Sequence, residues 1–207
     1  MKRAAAVLVA ALALACAGTR SGEPAAPLAP GTWSVIDADS DVFFVGIKNN
    51  AVGVTGVFST VSGTFDSRTG NAVVEVKIAS LFTNDAPRDA NIRTHFFEEA
   101  KFPTARFAVA KLPQLETLPP EGETRDYELA GTLELHGAKL PLTVPVRVTH
   151  ENGARLRVRN RKPIVLTAKD LGMEAQLAVL KAVCGHEALS GAVPVDVDVV
   201  FAPAASL

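Results

Sequence analysis

The feature that most constrains this chain is a period of two. Leu140, Leu142, Val144, Val146 and Val148 recur at every second position, and so do Val193, Val195, Val197, Val199 and Phe201. Val74, Val76 and Ile78 repeat the pattern against Glu75 and Lys77, and Asp196 and Asp198 fall between the valines of the last run. Successive side chains of a β-strand point to opposite faces, so each run predicts a strand with one face buried and one wet. Turn signals punctuate the runs at Asp66 to Asn71, at His136-Gly137-Ala138-Lys139 and at Asn152-Gly153. The pattern amounts to about eight strands at short, antiparallel spacing. A sheet of that size closed into a barrel holds its own side chains or one small ligand. A two-layer sandwich satisfies the same pattern.

Some strands carry extra information. In Asp41 to Lys48, Phe43, Val45 and Ile47 share one face while Val42, Phe44 and Gly46 share the other. Both faces are apolar, which predicts a strand covered on both sides. Val52 to Phe65 contains Val54 and Phe58 but also Gly53, Gly56 and Gly63, and glycine inside a strand marks a bend or a close approach. Thr104 to Leu112 places Phe107 with Val109, and Asp126 to Leu135 places Leu129, Leu133 and Leu135 in phase with Tyr127 and Gly131. Pro141 and Pro145 cannot donate ladder hydrogen bonds, so their strand is bulged or lies at an open edge there. Ten Phe against one Trp and one Tyr supply apolar area without polar handles, which suits a dry core or a greasy cavity.

Alternation stops at Arg88 to Phe107. Asn84 and Asp85 are N-cap types and Pro87 suits a first helical turn. Arg88, Ile92 and Phe96 then fall four apart on one helical face, and Asp89 and Arg93 have the spacing to pair on the next. Phe97 follows, and Lys101-Phe102-Pro103 stops the helix. The expectation is a short helix over about residues 85–97 that closes or lines one end of the β-structure. Leu177, Leu180, Lys181 and Cys184 predict a second short helix near 174–184, with Gly185 as its cap.

The N-terminus has a different character. Met1-Lys2-Arg3 is basic and Ala4 to Ala15 is unbroken apolar sequence, too short to span a bilayer but suited to a signal peptide. Ala15-Cys16 at its end resembles a lipobox, although Ala13 stands where Leu is usual. An ordinary secretory signal with an incidental Cys16 is the alternative. Two acyl chains on Cys16 would anchor the chain stably to a membrane, and Ala17 rather than Asp resembles outer-membrane sorting. Residues 1–15 are thus expected to be a signal, 16–30 a lipidated cysteine and tether, 31–203 the barrel and 204–207 a tail.

The run Arg88-Asp89, Ile92-Arg93, Phe96-Phe97, Lys101-Phe102-Pro103 and Phe107 resembles the central motif of the YceI-like family, lipocalin-like periplasmic proteins that bind polyisoprenoids. Trp33 with Asp37, Val54-Thr55-Gly56-Val57-Phe58, and Gly131-Thr132-Leu133-Glu134-Leu135-His136-Gly137 match further parts of its pattern in the same order. The resemblance covers roughly residues 31–203. It selects the lipocalin-like barrel over the sandwich and implies one long-chain apolar ligand: a polyisoprenoid, quinone or fatty-acyl lipid. The expected lining is Phe43, Val45, Ile47, Val54, Phe58, Val74, Val76 and Ile78, then Ile92, Phe96 and Phe97 of the helix, then Phe107, Leu133, Leu142, Val144 and Val146. The resemblance also allows a homodimer.

Charged and chemical residues have competing readings. Arg88, Asp89 and Arg93 either pin the helix to the rim or form a collar for a lipid head group, since Arg suits phosphate and carboxylate. Cys184-Gly185-His186 places two candidate ligands together, but structural zinc needs four and His95, His136 and His150 have no pairing spacing. A turn-fixing hydrogen bond is the simplest role for His136. No nucleophile, metal or phosphate-loop motif stands in the chain. A formal net charge of −1 gives no electrostatic case for nucleic acid. The expectation is a binding protein with no metal and no catalytic residue. The alternatives are a lipid-modifying enzyme using Cys184 and His186, or an envelope stress protein with a filled barrel.

Overall fold

The computed structural model describes residues 29–112, 119–151 and 154–204. The N-terminal apolar run, Cys16, most of the tether and the Asn152-Gly153 turn lie outside them. In chain order, β1 (Thr32–Val35) and β2 (Asp41–Lys48) are halves of one bent stave, divided by a 3-10 turn at Asp37–Asp39. β3 (Val52–Phe58) and β4 (Val61–Asp66) form the next, and β5 (Ala72–Lys77) and β6 (Leu81–Phe82) the third. Then come the helices α1 (Ala86–Asn91) and a π-helical turn over Ile92–Phe96. β7 (Thr104–Val109), β8 (Thr124–Leu135) and β9 (Ala138–Glu151) are unbroken. β10 (Arg155–Asn160) and β11 (Ile164–Thr167) share a stave, α2 (Glu174–Val183) follows, and β12 (Ala192–Pro203) ends the fold.

Twelve segments therefore make eight staves, because four staves are each built from two segments. Each pairs antiparallel with the next in chain order. β12 returns to pair with β1, from Trp33↔Pro203 to Val35↔Phe201, and with β2, from Asp41↔Asp198 to Phe44↔Val195. That closes an up-and-down barrel and excludes the sandwich. Each bend has a local cause. Asp37 Oδ1 accepts the Val61 N–H at 2.7 Å, which ties the first bend to the second. At Gly63, φ is +154° and a Cβ would sit 2.2 Å from the Val73 carbonyl oxygen, so only glycine fits.

β9 is not bulged. It runs past the end of β10, whose pairing stops at Val146 with the Pro145 carbonyl accepting the Arg161 N–H at 2.9 Å, so the prolines stand where the β10 ladder ends and their missing N–H groups interrupt no paired strand. The two-sided cover predicted for β2 is not formed. Val42, Phe44 and Gly46 face the barrel interior, while Phe43, Val45 and Ile47 face outward with relative exposures of 45%, 36% and 39%. A barrel made of one sheet has one inside, and among the described residues nothing packs over the outer face of β2. On the outer face of β10, Arg155 pairs with Asp39, and Arg157 and Arg159 both pair with Asp198.

The two ends of the barrel differ. One is filled by rings: Trp33 stacks on Phe65 with centroids 5.4 Å apart, and Phe65 meets Phe201 edge-on at 5.3 Å. α1, the π-turn and α2 cover the other. α1 begins as expected, with Asp85 accepting the Arg88 N–H at 3.0 Å, and α2 ends at Gly185, which takes φ +64°. One carboxylate ties this covered end together. Glu98 accepts from Lys101 Nζ at 2.6 Å, from Gln176 Nε2 of α2 at 3.2 Å, and pairs with His136 Nε2 at 2.8 Å. His136 sits in the β8–β9 turn at φ +50° with Phe102 against its ring, so its role is to hold a turn and a lid loop together.

These partners, Lys101 foremost, then Gln176 and His136, hold the Glu98 carboxyl down to about 2 from its ordinary 4.5. A lowered carboxyl pKa gives stability that is complete above the unfolded value and lost as pH falls through the folded one. The Glu98 contribution is therefore expected in full at neutral pH, fading between pH 4.5 and about 2. Thermal melts of Glu98→Gln across that window should give a flatter pH profile than the wild type. Parallel profiles would remove Glu98 as the tie.

Candidate functional site

Inside the staves lies a cavity of about 370 Å³. That volume falls within the range of small-molecule sites. Its walls are the inward rows of the barrel, and its lid is the helical cover. Phe58, Val74, Val76, Ile78, Phe107, Leu133, Leu142, Val144 and Val146 line it as expected from their phase, with Ile92, Phe96 and Phe97 from the lid. Phe97 N–H reaches back to the Ile92 carbonyl at 3.0 Å, the wide π spacing. That extra residue per turn lets Ile92, Phe96 and Phe97 all face the barrel, where an α-helix would turn one away. Phe96 and Phe97 pack edge-on at 5.0 Å, and Phe97 meets Phe58 at 5.8 Å.

Two glycines make room for rings. A Cβ on Gly131 would lie 2.5 Å from Phe107 Cζ, and one on Gly56 would lie 2.3 Å from Phe44 Cζ. The far end of each ring occupies the space that a side chain at the glycine would need, so it sits against the wall. The centre is open. Val74, Leu129, Leu133, Leu142 and Val197 point inward yet remain only half-buried, because their free surface faces the void.

Four expected lining residues do not take that role. Phe43, Val45 and Ile47 are on the outer face for the reason given above. Val54 shares the inward face opposite Gly46 but lies toward the stave's end and does not reach the cavity. The expected lining omitted several that do line it: Val42 and Phe44 on β2, Tyr127 and Leu129 on β8, Val193, Val195, Val197, Val199 and Phe201 on β12, and Leu177 and Leu180 on α2. The signal for most was the same alternation. For β2 it was ambiguous, because both faces are apolar.

Arg88, Asp89 and Arg93 stand outside the cavity lining and hold the lid from behind. Asp89 is 5% exposed and accepts from Thr83 N–H at 3.0 Å and from Thr83 Oγ1 at 2.5 Å. Arg88 donates to Thr83 Oγ1 at 2.7 Å and to the Thr83 carbonyl at 2.8 Å. Arg93 donates to the Ala79 carbonyl at 3.0 Å and pairs with Glu99 at 3.7 Å. The expected Asp89–Arg93 pair is not formed, because the π-turn begins between them and Thr83 takes the carboxylate. All three side chains thus bind the chain segment that connects β5 and β6 to α1.

The remaining candidates are dispersed. Cys184 Sγ accepts from Asn91 Nδ2 at 3.8 Å, joining the ends of the two helices. His150 Nδ1 bonds the Pro119 carbonyl at 2.8 Å at the far end of the barrel from His136. Among the described residues no group of three or more His, Cys, Asp or Glu could hold a metal ion.

A family model for the YceI-like domain matches residues 33–201. A UPF0312 protein of Pseudomonas fluorescens is 33% identical over 123 residues, covering 53% of this chain and 59% of that protein. Another, from Photorhabdus laumondii, is 30% identical over 125 residues, covering 56% and 61%. These alignments span less than two thirds of the curated relatives' length. Among solved structures, a polyisoprenoid binding domain from Saccharophagus degradans implicated in plant cell wall breakdown superposes with a TM-score of 0.78 at 25% identity, covering 83% of this chain and 98% of that one. Burkholderia cenocepacia BcnA gives 0.60 at 22% identity over 80% and 98%, a likeness of fold. With the closed barrel, the helical lid and a family match across nearly all of the described residues, this chain belongs to the YceI-like family.

Proposed function

We propose that this protein binds one long-chain apolar lipid inside the barrel and carries or sequesters it in the bacterial envelope. The observation that carries this reading is the apolar cavity itself, ringed by aliphatic rows and left open where a packed barrel would be filled. An apolar tail gains about 0.8 kcal/mol per buried CH₂. Roughly ten buried methylenes then give about 8 kcal/mol, the scale of a micromolar complex, without a charged partner. The polyisoprenoid-binding structure from Saccharophagus degradans supports the same ligand class. A binding role without a chemical step accords with the dispersal of Cys184, His136 and His150 described above.

Native mass spectrometry of protein purified from a bacterial host should detect a co-purified lipid released intact. Val74 is the residue to enlarge, since it points into the void opposite Gly63 and Phe107. Val74→Phe should expel the lipid at a stability cost under about 1 kcal/mol, where a filled core would be overpacked at about 1–3 kcal/mol. A strongly destabilised variant, with no lipid in the wild type, would end the carrier reading and favour the filled barrel.

The lid pins are part of the proposal, because a lipid must pass or displace the helices to enter. Asp89→Asn leaves the Thr83 hydrogen bonds without their charge and should cost about 1–3 kcal/mol. Melting temperature and lipid content should fall together. Lipid loss at an unchanged melting temperature would speak instead for a head-group collar.

The anchor reading rests on the apolar run Ala4 to Ala15 ending at Cys16. We place the protein in the periplasm, held to the outer membrane by acyl chains on that cysteine. Fractionation of Cys16→Ser should find it in the soluble periplasm. A variant that stays with the membranes, or a wild type already soluble, contradicts the anchor.

A further inference from the structure

We propose that the Tyr127 hydroxyl is the cavity's single polar recognition point, and that it donates a hydrogen bond to a neutral oxygen of the bound lipid. This rests on the lipid-carrier reading above and adds the chemistry of the ligand.

Tyr127 is 8% exposed and lines the cavity, in phase with Leu129, Leu133 and Leu135 on β8. Its hydroxyl is buried and has no hydrogen-bond partner among the described residues. A buried tyrosine hydroxyl normally finds a partner, since it gives up water on burial and regains nothing unless another group receives it. Of the other buried polar side-chain atoms among the described residues only Gln176 Oε1, behind the lid and outside the lining, also lacks a partner, and the other polar side chains that line the cavity are all engaged. Asn160 donates to the Lys162 carbonyl and to Asp196 and accepts the Val197 N–H. Thr167 Oγ1 donates to Asp170, and Ser190 Oγ donates to the Ala192 carbonyl. Arg106 pairs with Glu75 and Glu134. The hydroxyl is thus a free donor in a mostly apolar wall whose other polar side chains are already paired.

Its position says which part of a ligand it meets. Leu135 ends β8 beside His136 and the lid, and Tyr127 lies eight residues back along the strand, opposite Val146. At the rise of an extended chain that is roughly 26 Å from the lid end. An oxygen on Tyr127 therefore lies deep in the barrel, with the hydrocarbon chain running back toward Phe96 and Phe97. The oxygen must be uncharged, because every cation named above is committed elsewhere and an unpaired charge in such a wall is strongly disfavoured. A ketone, ester, amide or alcohol oxygen meets both conditions, whereas a phosphate or free carboxylate does not.

Tyr127→Phe removes the oxygen and leaves the ring. Two measurements test the inference. The first is displacement of 1-aminoanthracene fluorescence by hexadecan-2-one and by hexadecane. Wild type should bind the ketone about tenfold more tightly than the alkane. Tyr127→Phe should lose that preference, with alkane affinity unchanged. A wild type without the preference, or a variant that keeps it, overturns the inference while leaving the carrier reading intact. If neither probe enters the wild type, the carrier reading falls and this inference falls with it. The second is the melting temperature of delipidated protein. Tyr127→Phe should match or exceed wild type, since it discards an unpaired buried group. A clear decrease would mean that the hydroxyl serves the fold, and would also overturn the inference.

Discussion

Closure of the sheet on β12 is the constraint from which the rest follows. That strand takes β10 and β11 along one side and β1 and β2 along the other, so its neighbours change halfway. A straight stave could not follow it. The staves on either side break where the partners change, at Asp37–Asp39 and between β10 and β11, and the Asp37 carboxylate at the first break accepts the Val61 N–H freed at the break of the neighbouring stave. Closure removes the free edges through which an open sheet would recruit other chains. It also leaves one inside for every inward row, and this makes alternation compulsory in strand after strand.

That same geometry explains how far the sequence could be read. Period, turn residues and caps are local, and they fixed the staves, the helix starts at Asp85 and the stop at Gly185 to within a few residues. The inward rows on β5, β8 and β9 were legible because charges such as Glu75 and Lys77 label the outside. β2 carries no such label. Choosing between Phe43 and Phe44 depends on which of them meets Gly56 across the strand, and that is a register, not a pattern. The Arg88, Asp89 and Arg93 cluster was legible as a group with two readings. Thr83 engages Arg88 and Asp89 as the pinning reading requires, and nothing in an ordinary threonine six positions upstream of Asp89 announces that it will accept and donate four hydrogen bonds.

Polar and apolar work are kept apart in this molecule. The cavity wall is mostly hydrocarbon, with a few polar side chains of which the Tyr127 hydroxyl has no partner among the described residues, while the lid is fastened outside it by Thr83, Asp89, Arg88 and the Glu98–His136–Gln176 cluster. Fastenings of that kind are directional, so they set one position for the helices, and they do not depend on what the cavity holds. The wall does depend on it. An unfilled apolar space leaves its lining without packing partners on that side, so the inward rows lose contacts when the barrel is empty. On the carrier reading, ligand and core are then the same thing: the tail supplies the packing that the inward valines and leucines leave undone. On that reading the tail gives up apolar contacts on leaving the barrel, so release is favoured where another apolar phase, such as a membrane, can take it.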